Sequence, residues 1–125
     1  MTNVIVVDDD PTNAGLIKML LELDGFKVIS CTNFAEVQAT TTSNTHAYVI
    51  DCNLARGASG IDILRAIRKG EMKSPADTAV IMTSGDYRLE RETIDAGANK
   101  FLLKPYSPNV LSTVISELLP GGEIA

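Results

Sequence analysis

Four charged side chains stand directly after apolar runs of the sequence, and their types suit them for chemistry. They are Asp8, Asp9, Asp51 and Lys104. The carboxyl ends of neighbouring strands in a parallel sheet share one edge, so these side chains are expected to converge there. Carboxylates that are crowded together repel one another unless a cation lies between them. The pattern therefore predicts a hard metal ion and a phosphate-like ligand at this edge.

The acidic residues carry the ligand atoms that Mg²⁺ prefers, because this ion binds a few carboxylate oxygens and keeps much of its water shell. Asp9 and Asp51, together with waters or backbone carbonyls, are predicted to hold the ion. Asp8 is expected to tune this pair or to hold a coordinated water.

A carboxylate beside a divalent ion can attack phosphorus, because the metal screens its charge from the phosphoryl oxygens and orients them. Asp51 is the best-placed nucleophile. The acyl phosphate would carry extra negative charge, and Lys104 is placed to pair with it. The Thr83 hydroxyl is placed to donate a hydrogen bond to a phosphoryl oxygen. These are the minimal parts for phosphoryl transfer without an ATP-binding loop.

Five short runs rich in branched aliphatic residues alternate with five stretches of helical spacing. The predicted strands are Val4–Asp8, Lys27–Cys31, Ala47–Asp51, Ala79–Thr83 and Lys100–Leu103. The alternation predicts an α/β fold, a doubly wound (βα)5 domain with a five-stranded parallel sheet and helices on both faces. The first, third and fourth runs are nearly uniformly apolar, as central strands are, whereas the second has the composition of an edge strand.

The first predicted helix has recognisable ends and decides which carboxylates face the site. Asp10 is expected to cap it, Pro11 suits its first position, and Gly25 follows its end. Its inward face is predicted to carry Leu16, Ile17, Leu20 and Leu21. If Asp10 accepts a backbone N–H as the cap, Asp8 and Asp9 are the pair left to face the crevice.

Four further helices are predicted from apolar spacing and capping residues. They are Phe34–Thr42, Ile61–Lys69, Tyr87–Ala96 and a last helix that begins at Ser107. Ile61–Lys69 is expected to turn Ile61, Leu64 and Ile67 inward. The last helix is expected to bury Val110, Leu111, Val114, Ile115 and Leu118.

The composition indicates one domain and excludes several classes of function. The chain has 125 residues and 45% hydrophobic residues, which suffices for a single core. Its net charge of −5 argues against direct nucleic-acid binding, which needs a clustered basic surface. No apolar run approaches the roughly 20 residues of a membrane span, so we expect a cytoplasmic protein. Cys31 and Cys52 are expected to be reduced, mostly buried thiols.

The combination of motifs resembles the receiver domain of two-component response regulators over essentially the whole chain. The motifs are Val6-Val7-Asp8-Asp9-Asp10-Pro11, Ile50-Asp51, Met82-Thr83-Ser84-Gly85 and Lys104-Pro105-Tyr106. The resemblance implies a flavodoxin-like fold, with residues 1–120 forming the receiver domain and 121–125 a tail. It also implies Mg²⁺ as cofactor and a histidine kinase or histidine phosphotransfer protein as phosphoryl donor. A downstream effector protein would read the phosphorylated state, and the domain would catalyse part of its own modification.

The same resemblance assigns roles to individual residues. Asp51 becomes the phosphoacceptor, and the metal ligands become Asp8, Asp9, Asp51 and the backbone carbonyl of Asn53. The switch hydroxyl falls on Thr83, the phosphate-binding lysine on Lys104 and the aromatic switch position on Phe101. The Lys104–Pro105 peptide bond is expected to be cis.

Two segments depart from the common pattern of that family. The segment from Asn53 to Gly60 is about one residue longer and lacks the usual proline, so this loop is expected to be more mobile. The spacing between Thr83 and Lys104 is about one residue short, which would trim the turn that enters the fourth helix.

Taken singly, these residues have simpler explanations. An aspartate after a strand is more often a turn or cap residue than a ligand, and Phe101 in an apolar strand is most simply core. His46 is the single histidine and has no second histidine or cysteine at ligand spacing, which indicates a surface residue. The joint placement of Asp51, Thr83 and Lys104 with the acidic pair is what favours the functional interpretation.

Two other classes of protein share part of the pattern. A metal-dependent phosphohydrolase also uses an aspartyl nucleophile, but this chain has no second aspartate two residues after Asp51 to act as acid and base. A small-molecule phosphatase assay would separate the two. A flavodoxin-like FMN carrier expects a Ser/Thr/Gly-rich phosphate loop after the first strand. The carboxylates of Asp8, Asp9 and Asp10 would repel that phosphate.

Overall fold

A computed structural model describes residues 2–54 and 57–119 of the chain. Strands and helices alternate along these ranges. They are β1 Asn3–Val7, α1 Pro11–Leu23, β2 Lys27–Cys31, α2 Phe34–Thr40, β3 Ala47–Asp51, α3 Gly60–Arg68, β4 Ala79–Ser84, α4 Glu90–Asp95, β5 Lys100–Leu103 and α5 Pro108–Leu118. A 3₁₀ turn, Tyr87–Leu89, precedes α4. The predicted tail, 121–125, lies outside the described residues.

The five strands form one parallel sheet in the order β2-β1-β3-β4-β5. The α/β fold with a doubly wound sheet is therefore confirmed, and β2 lies at an edge as predicted. The chain winds outward from β1 to β2 and then crosses back to β3. The direction of winding reverses between β1 and β3, so a crevice opens at the carboxyl ends of these two strands.

The sheet separates two hydrophobic cores because successive residues of a strand point to opposite faces. In β1, Ile5 and Val7 belong to the core that includes the apolar residues of α3, such as Leu64. Val4 and Val6 belong to the core on the other face, which is closed by α1 and α5. Both faces of the sheet are thus covered, which explains the nearly uniform apolar composition of the central strands.

Helix α1 buries a narrower face than the sequence predicts. Leu21 is buried and Ile17 is partly buried against the core, but Leu16 is 49% exposed, so its predicted inward position was wrong. Ala14 is buried in its place. The helix carries more apolar residues than the stripe of about 100° that a sheet can cover, so spacing alone could not choose among them.

Helix α5 shows a similar difference at one position. Leu111, Val114 and Ile115 are buried and Leu118 is partly buried, as predicted, but Val110 is 36% exposed. Helix α3 buries the three predicted isoleucine and leucine positions.

Two helices differ from their predicted boundaries, each for a local reason. Helix α2 ends at Thr40 rather than Thr42, because Thr41 is extended and its hydroxyl donates to the Val37 carbonyl. The predicted helix Tyr87–Ala96 begins as a 3₁₀ turn. Its tighter winding follows from Asp86, whose carboxylate accepts from the Arg88 N–H while its carbonyl accepts from the N–H of residue 89. No helix within the described ranges has the length and apolarity needed to cross a membrane.

Candidate functional site

The carboxyl ends of the strands bring the predicted site residues to one edge of the sheet. Strand β1 ends directly before Asp8, and β3 ends at Asp51 itself. The register between β3 and β4 pairs Asp51 with Thr83, so their side chains extend to the same side of the sheet. Lys104 follows β5, and its backbone N–H donates to the Ser84 carbonyl oxygen at 2.8 Å.

Three carboxylates converge at this edge. Asp8, Asp9 and Asp51 each offer one oxygen, and these oxygens all lie within 4.8 Å of one another. Asp8 is 3% exposed and the Asp51 side chain 12% exposed, so the cluster is largely withdrawn from water. A compact set of hard oxygen donors with one more exposed member suits Mg²⁺, which binds few carboxylates and retains waters. The residues present therefore fit this ion.

Asp8 is held in place by the first turn of α1. Its Oδ1 accepts from the backbone N–H of Asp10 at 2.9 Å, and its Oδ2 accepts from the side-chain amide Nδ2 of Asn13 at 2.5 Å. Asp10 caps α1 as predicted, because its carboxylate accepts from the backbone N–H groups of Thr12 and Asn13. The cap therefore removes Asp10 from the cluster and leaves Asp8 and Asp9 at the crevice.

Asp51 accepts hydrogen bonds from two directions. Its Oδ2 lies 2.7 Å from the Lys104 Nζ, and its Oδ1 accepts from the backbone N–H of Asn53 at 3.0 Å. The Lys104–Pro105 peptide bond is cis, as expected. The structure thus brings the predicted acceptor and the predicted lysine into direct contact, with the acidic pair beside them.

Thr83 lies beside this group in a buried position, 3% exposed. Among the described residues its hydroxyl makes no side-chain hydrogen bond, while its carbonyl accepts from the Cys52 N–H at 2.9 Å. The Asp51 carboxylate, the Lys104 cation, the Thr83 hydroxyl and a cluster of carboxylates therefore share one edge of the sheet. This combination of groups can accept and hold a phosphoryl group.

Comparison with known proteins identifies the family. A family model described as the response regulator receiver domain matches residues 4–116. The chain belongs to this family. It is 32% identical over 124 residues to the chemotaxis protein CheY of Pseudomonas aeruginosa, covering 92% of this chain and 94% of that protein. It is 21% identical to the phosphate regulon transcriptional regulatory protein PhoB of the same species, but spans only 51% of that protein's length.

Solved structures share the fold of this receiver domain. A receiver domain protein from Clostridium thermocellum has 29% identity and a TM-score of 0.80, over 94% of this chain and 93% of that one. The response regulator TrrA from Thermotoga maritima, in complex with Mg²⁺-BeF, has 23% identity and a TM-score of 0.80, over 95% of this chain and all of that one. The chain is thus a receiver domain of two-component signalling with a phosphoacceptor role.

Phe101, the predicted switch position of the receiver domain, lies inward. It is 8% exposed and belongs to the core cluster on the α3 face. Its register partner on β4 is Met82, the residue before Thr83.

Gly60 allows helix α3 to begin directly against the end of β3. A Cβ atom on Gly60 would lie 2.0 Å from the Asp51 carbonyl oxygen and 2.8 Å from the Cγ2 of Ile50. Helix α3 therefore begins in direct backbone contact with the end of β3. The loop before it is closed by backbone hydrogen bonds from Leu54 to Ala58 and from Gly60 to Cys52. Residues 55 and 56 of this loop, whose mobility the sequence predicts, lie outside the described ranges.

The sequence did not single out two residues that contact the site. Asn13 binds Asp8, and the Ser84 hydroxyl accepts from the Asn53 amide at 3.4 Å and from the Asp86 N–H at 3.0 Å. Asn13 could have been noticed from its place in the first turn of the helix that Asp10 caps, five residues after Asp8. Ser84 carries no such signal, because a serine after a strand is common in turns.

Two titratable groups near the cluster have pKa values raised by burial. Burial raises the pKa of the Cys52 thiol to about 12, and the neighbouring Asp51 charge adds to the effect. Burial likewise raises the pKa of Tyr106 to about 12, with further contributions from the charges of Asp8 and Asp51. Neither side chain therefore ionises at neutral pH. Both cysteines are buried, as predicted, and they form no disulfide within the described residues.

Proposed function

We propose that Asp51 is the phosphoacceptor of this receiver domain and that Asp8, Asp9, Asp51 and the backbone carbonyl of Asn53 are the protein ligands of a Mg²⁺ ion. The donor is a phosphohistidine on a histidine kinase or a histidine phosphotransfer protein. The convergence of three carboxylates beside the Asp51–Lys104 ion pair is the observation that carries this proposal. The Mg²⁺-BeF complex of the T. maritima regulator, which shares the fold, gives it further support.

The transfer moves one phosphoryl group from nitrogen to oxygen. A carboxylate oxygen of Asp51 forms the new P–O bond as the P–N bond of the donor breaks, and the donor imidazole regains a proton. Bound Mg²⁺ supplies charge screening between the carboxylate and the incoming phosphoryl oxygens. Hydrolysis resets the domain. A water oxygen bonds to phosphorus as the bond between phosphorus and the Asp51 oxygen breaks, which yields the free Asp51 carboxylate, inorganic phosphate and a proton.

Lys104 and Thr83 stabilise the product in different ways. Lys104 already contacts Oδ2 of Asp51 at 2.7 Å, so it is placed to pair with the added negative charge. The Thr83 hydroxyl, with no side-chain hydrogen bond among the described residues, is available to donate to a phosphoryl oxygen. Forming this bond draws the loop after Thr83 inward and biases Phe101 between rotamers, which alters the face built from α4, β5 and α5.

The partners are proteins, in keeping with the acidic surface. An apolar groove lies between α1 and the segment Lys104–Tyr106, directly beside the acceptor site. Such a groove supports docking of the donor protein next to Asp51. A downstream effector protein reads the altered face, and with a net charge of −5 we do not expect this domain to bind nucleic acid directly. We place the domain in the cytoplasm, where the donors act.

Intact-mass spectrometry after treatment with acetyl phosphate and Mg²⁺ tests the acceptor. The parent is expected to gain the mass of one phosphoryl group, and Asp51→Asn is expected to gain none. Asp77→Asn makes the same chemical change at an exposed loop position and is expected to behave like the parent.

Two further outcomes bear on the proposal. Phosphoryl mass that persists in Asp51→Asn would remove Asp51 from its role. Phosphorylation that proceeds equally well after chelation of divalent ions would remove the metal from the reaction. Omitting Mg²⁺ and adding EDTA should therefore slow the modification sharply in the parent.

A further inference from the structure

Asp8 is the most buried of the three clustered aspartates. It accepts hydrogen bonds from two donors, and one of them is the side chain of Asn13. Asp8 is 3% exposed, and its two oxygens are each bonded once, to the Asp10 N–H and to the Asn13 amide. The first donor belongs to the backbone, and only a proline at position 10 would remove it. The second donor belongs to the Asn13 side chain, which can be substituted without changing Asp8.

The two bonds together fix the plane of the carboxylate. One hydrogen bond leaves a carboxylate free to rotate about its Cβ–Cγ bond, whereas one donor on each oxygen stops that rotation. A carboxylate oxygen has room for more than one partner, so each oxygen still has a lone pair available. Both donors are neutral and therefore hold the negative charge of Asp8 without cancelling it, as a lysine or arginine would.

We propose that Asn13 is a positioning residue for the metal site: its amide orients Asp8 toward the position at which Asp8, Asp9 and Asp51 converge. This inference rests on the proposed Mg²⁺ site. Asn13 lies in the third position of α1, behind the Asp10 cap, so the helix that starts at the cap also sets the angle of the carboxylate. The apolar groove beside Lys104 includes Asn13 in its wall, which places the residue between that groove and the cluster.

Removing the amide has two opposite effects on the affinity for Mg²⁺, and the larger effect decides whether the affinity rises or falls. The oxygen that loses a donor becomes a slightly stronger ligand, which favours the cation. The carboxylate also loses its fixed orientation, which disfavours binding. Loss of outer-shell hydrogen bonds to metal ligands typically weakens affinity about 10- to 100-fold, so the loss of orientation dominates.

Calorimetric titration of the full chain with MgCl₂ tests the proposal. Asn13→Leu keeps the approximate size and removes the donor, and the dissociation constant is expected to rise about 10-fold or more. Asn13→Gln keeps an amide that can reach Asp8, so it is expected to bind Mg²⁺ more tightly than Asn13→Leu. Thr12→Val, one residue earlier on the same helix turn, is expected to match the parent.

A second readout separates positioning from a merely structural role. Urea unfolding without divalent ions reports the stability of the fold, whereas the titration reports metal affinity. A structural role would lower the urea midpoint of Asn13→Leu and leave its affinity for Mg²⁺ unchanged. A positioning role also requires that saturating Mg²⁺ restore the rate of phosphorylation by acetyl phosphate toward that of the parent.

The possible failures are distinguishable. If the parent binds Mg²⁺ and Asn13→Leu binds it within about twofold, the role of Asn13 is refuted while the metal site stands. If the parent itself shows no binding of Mg²⁺, the proposed metal site fails and the role of Asn13 fails with it. Equal loss of affinity in Asn13→Gln and Asn13→Leu would show that the donor is not what matters.

Discussion

Removing one charge from the acidic cluster is expected to stabilise this receiver domain when no divalent ion is present. Asp9→Asn keeps the shape of the side chain and relieves its repulsion with Asp8 and Asp51, whose oxygens lie within 4.8 Å. At that distance two unit charges repel by about 3.5 kcal/mol at an effective dielectric constant of ~20 and by about 0.9 kcal/mol at ~80.

The gain in stability from Asp9→Asn is smaller than the summed repulsion of Asp9 with Asp8 and with Asp51. Asp9 is half-buried, and Lys104 already neutralises part of the Asp51 charge from 2.7 Å away. We therefore expect Asp9→Asn to raise the free energy of unfolding by about 1–2 kcal/mol. With typical urea m-values this corresponds to a midpoint shift of about 0.5–1 M.

Urea unfolding followed by circular dichroism measures this gain, and Mg²⁺ is expected to abolish it. A ligand at 100 times its dissociation constant stabilises the native state by about 2.7 kcal/mol. The parent receives this stabilisation from Mg²⁺, whereas Asp9→Asn has lost a proposed ligand and receives less. The two unfolding curves should therefore converge or cross as MgCl₂ is added.

A control substitution separates the effect of the acidic cluster on stability from the effect of the net charge. Glu71→Gln changes the charge by the same amount in the exposed loop that follows α3, and is expected to shift the midpoint little in either condition. The gain from Asp9→Asn should also shrink in 1 M NaCl, where the screening length falls to about 3 Å. Destabilisation by Asp9→Asn in the absence of divalent ions, or a gain that Mg²⁺ leaves intact, would refute the reasoning.

Four further substitutions test packing and ionisation at other positions in the fold. Gly60→Ala is expected to destabilise by about 3 kcal/mol or more, because its Cβ would lie 2.0 Å from a backbone oxygen of Asp51; Gly15→Ala, with open space around it, should instead stabilise by about 0.5–1 kcal/mol in the same urea assay. Arg68→Lys is expected to cost about 2–4 kcal/mol, since the guanidinium donates to the Gly97, Ala76 and Thr78 carbonyls and to the Asn99 side chain, which one ammonium cannot replace; an equal urea midpoint would contradict this. Tyr106→Phe is expected to reduce the loss of stability between about pH 10 and 12, because a native pKa raised from 10.0 to about 12 means that unfolding releases a proton there; parallel pH profiles of the unfolding midpoint for the two proteins would be the contrary result.

The sheet and the site edge were predictable because both depend on local patterns. Each strand is a short apolar run bounded by polar or turn residues, and β1 through β5 match the predicted runs to within one residue. Asp8, Asp51 and Thr83 stand at the carboxyl ends of such runs. Once the strands are parallel, the topology of a doubly wound sheet forces these ends together, so no knowledge of side-chain packing was needed.

The choice of buried face on α1 and α5 was not predictable from spacing. Leu16 and Val110 satisfy the same helical periodicity as their buried neighbours, yet 49% and 36% of their surfaces are exposed. Which of several apolar stripes is covered depends on where the partner sheet lies, and that is a tertiary fact. The same holds for the four bonds of Arg68, whose partners lie 8 to 31 residues further along the chain.

The contact between Asn13 and Asp8, one of the proposed metal ligands, was missed for a different reason. A set of ligands is recognisable by its chemistry, because carboxylates that converge from neighbouring strand ends repel one another unless a cation lies between them. A positioning residue is recognisable only by its contact. Asn13 is five residues from Asp8, close enough in sequence for their contact to be expected if the geometry of the capped turn is known. The cap at Asp10 supplies that geometry, because it fixes where the third residue of α1 stands relative to the end of β1. A predicted cap therefore gives the position of nearby side chains as well as the start of the helix. Used in this way, it would extend sequence-based prediction from the proposed ligands of this site to the residue proposed to orient them.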